Sequence, residues 1–485
     1  MPVREWSRGQ AWLMPPSVED LIAADHPVRF VAAFVEALGE AGWAEVGIDP
    51  RGAAEGAPSY APEVLLSVWG YGFLNGVRTS RKLETACREQ VPYLWLSGGQ
   101  RPDHNTLWRF YQAHREGMRG LLKRTVRTAV RAGLVDLAVL GVDGTKLSGN
   151  AARGRSYDAA GLQKLLERTE KAITELEARN SAEAEAAPPR LPQELCERRA
   201  LRERVVQALA TVRADERRNL TDADAVLVKT RQGVVAGYNG QAAVAPLVGQ
   251  AGLLITAAEV VAEPTDHGQL LPMLQASEEA VGAPPGVLLS DGGYLSGTTL
   301  RECEARGQRV AMPEAGGGTL DSPYHREAFR YEAATDSYLC PTGQRLSRRP
   351  DKARPGRTPA RLYRVVAPAA CRACPAFGSC TRDTRRGRSL EVAPPEEERA
   401  LRSHRAWMAT EEAQALYARR KTLPEPVFGI LKEQQNARRL LLRSLAGVRA
   451  EWSLLATAFN LRTLWRQWRA RPAATRSSLL APLAA

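Results

Sequence analysis

The sequence predicts an α/β chain: a mixed sheet flanked by helices, preceded by a helical N-terminal region and interrupted by a helical hairpin and a small Cys/Arg-rich insertion. Three observations lead there. Short apolar runs of strand length recur at Leu137 to Leu147, Ala225 to Thr230, Val234 to Val244, Leu253 to Ala262 and Gly286 to Asp291. Elsewhere apolar residues recur at three- and four-residue spacing, the signature of amphipathic helices. Residues 316–400 show neither period and are rich in Gly, Pro and Arg. With 485 residues, the chain is long enough for several packed cores.

Residues 1–135 read as helical. Pro62 stands at a plausible first helical position, and an apolar face runs on through Val68, Tyr71 and Leu74. Two further helices are expected at 80–89 and 104–117 around the Gly98-Gly99 turn, either as a helix-turn-helix or as a small helical core built on Leu107, Trp108 and Tyr111. Residues 136–315 carry the first strands. A helical hairpin is expected at about 158–218, where Leu162, Leu165, Leu166, Ile173 and Leu176 are answered by Leu201, Val205, Leu209 and Val212 across the linker SAEAEAAPPR. Residues 316–400 form the insertion, 401–470 a second helical part, and 471–485 a flexible tail.

Lys and Arg number 67 against 54 Asp and Glu, a net charge of +13. The excess is clustered: residues 341–390 hold thirteen basic residues against Asp351 and Asp383, and 431–470 hold eight against Glu433 and Glu451. Such clusters attract a polyphosphate and release its counterions, which makes nucleic acid the expected partner. No apolar stretch approaches the roughly 20 residues of a bilayer span, and MPVREWSRGQ has no apolar leader segment. A cytoplasmic protein without a membrane partner is expected.

Seven cysteines are too few for a disulfide scaffold. Four have a pattern: Cys371 and Cys374 form a C-x2-C, Cys380 follows, and Cys340 lies upstream in LCPTG, which reads as a turn. They read either as a structural zinc site, which needs four such ligands, or as free thiols in a turn-rich segment.

An acidic residue in an apolar strand is costly unless it is paired or coordinates a metal, so Asp143 and Asp291 require an explanation. Hard cations such as Mg2+ take carboxylate oxygens from several elements, and a pair of them can drive phosphoryl transfer. Glu425, opening a helix behind Pro424, is the third candidate. Tyr417, Arg420 and Lys432 lie around it as phosphate-holding groups, with Lys421 able to replace Arg420. Asp266 in PTDHGQLL is a fourth acidic candidate, favoured instead as the N-cap of the following helix.

GVDGTKL, GYNGQAAV, LLSDGGY and the spacing Tyr417-x2-Arg420-x4-Glu425-x6-Lys432 together resemble the DDE transposases of bacterial insertion sequences, in particular their Tyr-Arg-Glu-Lys signature group. DHPVR, YAPEVLLSVWGYGFLNGVRTSRKLE and RPDHNTLWRF resemble that family's helical N-terminal DNA-binding domain, and CPTGQ with CRACPAFGSC its cysteine-bearing insertion. The resemblance implies an RNase H-like core of five mixed strands, with Asp143 on the first strand, Asp291 at the end of the fourth and Glu425 on a late helix.

It further implies two Mg2+ ions, replaceable by Mn2+, on those three carboxylates, and phosphate binding by Tyr417, Arg420, Lys432 and Arg109. Double-stranded DNA, as terminal inverted repeats and target, is the implied partner, with dimerisation on paired ends and association with the nucleoid. The implied activity is strand cleavage followed by strand transfer. The alternatives are an inactive, transposase-derived DNA-binding protein and an RNase H-like endonuclease that does not join strands.

Overall fold

The computed structural model describes residues 17–51, 60–183, 193–213, 216–230, 232–314, 322–354 and 357–481. Its central sheet contains β1 (Val139–Ser148), β2 (Val226–Thr230), β3 (Gly233–Pro246), β4 (Leu253–Val261), β5 (Val287–Leu289) and β6 (Arg309–Ala311). Following the hydrogen bonds gives the order β4-β3-β1-β5-β6, with β2 paired to the first part of β3. β1 runs antiparallel to β3, β3 antiparallel to β4, and β1, β5 and β6 run parallel to one another. This 3-2-1-4-5 arrangement of the five main strands is an RNase H-like core; β2, expected from its apolar run, lies outside those five, and β6 is the strand the sequence did not mark.

The sequence explains why β1 lies in the middle. Val139, Leu140 and Val142 are fully buried, as a strand covered on both faces requires. One face packs against helices α6 (Leu270–Val281), α7 (Gly297–Ala305) and α8 (Pro395–Met408), around Leu140, Val142, Leu274, Leu300 and Ala400. The other is covered by the C-terminal helices and the N-terminal region in one continuous core.

Helices α1 (Pro62–Leu74), α2 (His104–Met118) and α3 (Gly120–Arg131) belong to that N-terminal region. A short helix, Val91–Leu96, comes between the two helices expected around Gly98-Gly99, started by Pro92 in its first turn. The segment therefore has three helices where two were expected. The expected hairpin consists of α4 (Ala159–Glu183) and α5 (Gln193–Thr211), closed at its base by antiparallel pairing of Ser156–Tyr157 with Arg218–Asn219. Most of its linker lies outside the described residues.

The insertion differs from expectation. It is built on a five-stranded antiparallel sheet spanning Arg330 to Val392, around buried Phe329, Leu346, Tyr363, Val365 and Leu390. Cys371 belongs to this core, and Cys340 and Cys380 pack against it. Three of the strands have only three or four residues, and arginines interrupt the alternation of the two longer ones, Arg345–Arg354 and Arg357–Val365, which hid the period.

Behind the insertion come α9 (Glu411–Ala418), α10 (Pro424–Glu433) and the 26-residue α11 (Leu445–Ala470). The helix that Glu425 was expected to open stops at Glu433, and Asn436 has a positive φ of 55°. The supposed flexible tail also turns back, through Arg476–Leu479, so that Leu479 is 1% exposed and Arg131 donates to the Leu479 carbonyl.

α11 closes the sheet edge: Asn460 accepts from the Ile255 amide (2.9 Å) and donates to its carbonyl (2.8 Å). Near its start, Glu451 pairs with Arg78 of the N-terminal region at 2.8 Å, the two side chains only 2% and 4% exposed. Burial raises the Glu451 pKa, against the pull of Arg78 and the Leu442 and Leu441 amides. Arg78 also donates to the carbonyl of Arg439, fixing the chain just beyond α10. Removing one partner of such a pair strands a buried charge. Arg78→Met alone is expected to cost about 3–5 kcal/mol in urea unfolding, and Arg78→Met with Glu451→Met much less.

Candidate active site

Asp143 and Asp291 come together through strand register. Gly141 pairs with Leu289, the last pair of the parallel β1–β5 ladder. Each aspartate follows two residues later, so the two stand level on neighbouring strands, roughly 4.8 Å apart in the pairing direction, and belong to the face of Gly141 and Leu289. α10 packs on that face. A Cβ on Gly141 would come within 2.9 Å of Leu423 Cβ and 3.0 Å of Pro424 Cδ, so glycine there lets the helix start close to β1. Pro424 occupies the first turn without loss, since its missing N–H would have no helical partner, and Glu425 follows.

Arg420 links the group. Its guanidinium donates to Asp143 Oδ2 at 3.1 Å and to Glu425 Oε1 at 3.3 Å. Lys421 is exposed, so Arg420 is the inward-facing cation of the two. Lys432 donates to Thr145 Oγ1, two residues along β1 from Asp143. Tyr417 is half-buried and packs against the main core. Arg109 is exposed on α2, and no hydrogen bond or ion pair among the described residues joins it to this group.

The N-cap reading of Asp266 is incorrect. α6 begins at Leu270, with Gln269 at its N-cap and no side-chain cap. Asp266 instead accepts from Lys146 Nζ (3.0 Å), Asn239 Nδ2 (2.8 Å) and Gln241 Nε2 (2.8 Å). Gln241 in turn accepts from the Tyr294 hydroxyl, in the loop that follows Asp291. The network lies beneath Gly144, where a Cβ would meet Asp266 Oδ1 at 2.2 Å. Sequence reasoning missed it, although a signal was there: Asn239 and Gln241, two amides two residues apart in an apolar strand, pair opposite Lys146 and Gly144.

Burial is the main cause pushing the Asp143 carboxyl up to about 6. The Gly144 amide opposes it, Asp291 adds to it, Arg420 opposes it and Asp266 adds to it. Carboxylate oxygens from separate elements suit a hard divalent cation. Among the described residues, no three His, Cys, Asp or Glu side chains stand close enough to hold one as arranged; between Asp143 and Glu425 the cation present is Arg420.

The four cysteines converge on one small cavity together with Thr342, Leu346 and Phe377. Cys340 Sγ lies 3.1 Å and Cys374 Sγ 3.6 Å from Thr342 Oγ1. A larger cleft, of about 1180 Å³, separates the loop after Asp291 from the insertion, with Gly292, Gly293 and Ser296 on one wall and Arg326 and Arg388 on the other. Among the described residues, no helix is long and apolar enough to cross a membrane.

Comparison with known families agrees with this architecture. The Transposase DDE domain model matches residues 339–465, which include Arg420, Glu425 and Lys432. The Transposase domain (DUF772) model matches residues 16–113, in the N-terminal helical region. No curated protein matches the chain. Both matched models are of transposases, and together with the RNase H-like fold they support an insertion-sequence DDE transposase, a class that indicates DNA transposition.

The raised Asp143 pKa has a measurable sign. The folded protein holds this proton more tightly than the unfolded chain, where an aspartate titrates near 3.9. Asp143 therefore costs no stability below about pH 4, and its penalty grows as pH rises and is complete above about 6. Without divalent cations, Asp143→Asn is expected to stabilise the protein by on the order of 2 kcal/mol at pH 7.5 and to make no difference near pH 4. Paired thermal melts across that range measure the difference.

Proposed function

We propose that the protein cuts DNA at the ends of an insertion sequence and joins the freed ends to target DNA, with Asp143, Asp291 and Glu425 as the catalytic carboxylates. The observation that supports this reading is that Asp143 and Asp291 each follow the last pair of the parallel β1–β5 ladder by two residues, with Glu425 tied to Asp143 through Arg420.

In the first step a water oxygen attacks the scissile phosphorus and the bond to the 3′ oxygen breaks, leaving a 3′-hydroxyl. In the second that hydroxyl attacks a phosphorus of target DNA and displaces a 3′ oxygen there. Bound Mg2+, with Mn2+ able to substitute, would supply Lewis-acid stabilisation of the attacking and leaving oxygens. The chain's own carboxylates hold that charge in place, and the half-buried site limits competing water. Arg420 and Lys432 are placed to hold the phosphate, as Tyr417 does in the Tyr-Arg-Glu-Lys reading. Arg109, on the N-terminal helices, contributes to holding the duplex.

Exposed Arg345, Arg349, Arg361, Arg372, Arg382, Arg385 and Arg386 on the insertion support a double-stranded DNA partner, whose terminal repeats and target must be held together. Two subunits on paired ends and a cytoplasmic, nucleoid-associated location fit this chemistry. The convergence of Cys340, Cys371, Cys374 and Cys380 on one cavity supports a structural Zn2+ in the insertion.

The test is a labelled duplex carrying the element's ends, incubated with Mg2+ or Mn2+. Cleavage and joining are expected from the native protein and a loss of at least about 1000-fold from Asp143→Asn, Asp291→Asn and Glu425→Gln. Binding without cleavage by the native protein would point to a DNA-binding descendant, and nicking without joining to an endonuclease. Zinc analysis of purified protein is expected to find about one equivalent per chain, reduced by Cys371→Ser; metal-free protein of undiminished stability would remove the zinc assignment.

A further inference from the structure

Arg420 is in an unusual position for a residue whose partner is a DNA phosphate. Its side chain is 12% exposed, and its two terminal nitrogens are directed at protein carboxylates, 3.1 Å from Asp143 and 3.3 Å from Glu425. Its Nε is buried without a hydrogen-bond partner. An arginine fixed for structural reasons normally satisfies all five of its donors. This one is held by two carboxylates at one end and by nothing at Nε, so its present position is secured by charge.

The Pro424 helix start brings Glu425 within reach of β1, and there the Asp143 carboxylate, 15% exposed, and the Glu425 carboxylate, 51% exposed, share Arg420 as the cation between them. We propose that Arg420 is the resident counter-ion of the cation-free site: it spans Asp143 and Glu425 where a divalent ion would bind, and entry of that ion releases the guanidinium to the DNA phosphate. The proposal rests on the reading of these carboxylates as metal ligands. One side chain would thus do two jobs in sequence, offsetting part of the site's negative charge before loading and clamping the substrate after it. A guanidinium is suited to both, because its planar fork binds carboxylate and phosphate oxygens alike.

The measurement is Mn2+ binding to the full-length protein without DNA, followed by the electron paramagnetic resonance signal of free Mn2+. Arg420→Gln is expected to tighten Mn2+ binding about tenfold, because the ion no longer displaces a charge-assisted pair. Lys421→Gln removes the same charge one residue away, on an exposed side chain, and is expected to change the affinity less than about threefold in 0.5 M salt, where screening acts over a few ångströms. In the native protein, saturating Mn2+ is also expected to expose Arg420 to a dicarbonyl reagent specific for arginine, read by peptide mass.

Equal affinities for native protein and Arg420→Gln, or Arg420 reactivity unmoved by Mn2+, would overturn the proposal. If instead Mn2+ binding is indifferent to Asp143→Asn and Glu425→Gln, the metal-ligand reading itself fails. A thermal melt of each variant shows that it is folded, and Arg420→Lys serves as a milder second variant.

Discussion

The three-pair parallel ladder between β1 and β5 is the contact on which the site depends. Asp143 and Asp291 are 148 residues apart in the chain, and only the pairing of Val139–Gly141 with Val287–Leu289 puts them at the same level. A parallel pair needs a long crossover between its strands. Here the intervening chain contains the helical hairpin, three more strands of the sheet and α6, and none of these lengthens the distance between the carboxylates. A one-residue slip of β5 would turn Asp291 to the opposite face. Buried Leu288 and Leu289, which belong to the cores on the two faces, hold the register.

The third carboxylate is placed by different means. Glu425 is on a ten-residue helix, too short to be stable alone, so its position comes from its neighbours. Gly141 admits the start of the helix. Beyond its end, the chain at 438–443 is bound on one side by β1, where Leu440 donates to the Ser148 carbonyl, and on the other by Glu451, which accepts from the Leu441 and Leu442 amides. Arg78 brings the N-terminal region into the same cluster. The region expected to hold DNA is thereby packed directly against the segment that carries Glu425.

Much of this was legible in the sequence because burial leaves a pattern. The strands around Asp143 and Asp291 are continuous apolar runs, as central strands must be, and α4 and α5 carry apolar residues at helical spacing; α11 is buried on every side from Ala450 to Leu461. The insertion's sheet was not legible, because three of its strands have three or four residues, the two longer ones are arginine-rich, and all share a small core. The C-terminal turn was missed because only Leu479 and Leu480 are buried there. Asp266 was misread for a local reason: a short acidic residue ahead of a helix resembles a cap, and only the three-dimensional pairing of β1 with β3 shows Lys146, Asn239 and Gln241 as its partners. Arg420 rather than Lys421 as the inward cation was likewise a matter of geometry at a single turn.

The central claim is that residues 143, 291 and 425 form one cation-binding centre. Iron-directed backbone cleavage tests it most directly: Fe2+ is bound in place of Mg2+ and ascorbate with peroxide generates hydroxyl radicals at the ion. Cuts are expected near all three residues in the same sample, each suppressed by excess Mg2+ and together lost in Asp143→Asn. Cutting confined to one of the three segments, or centred on the cysteines and unaffected by Mg2+, would contradict the account.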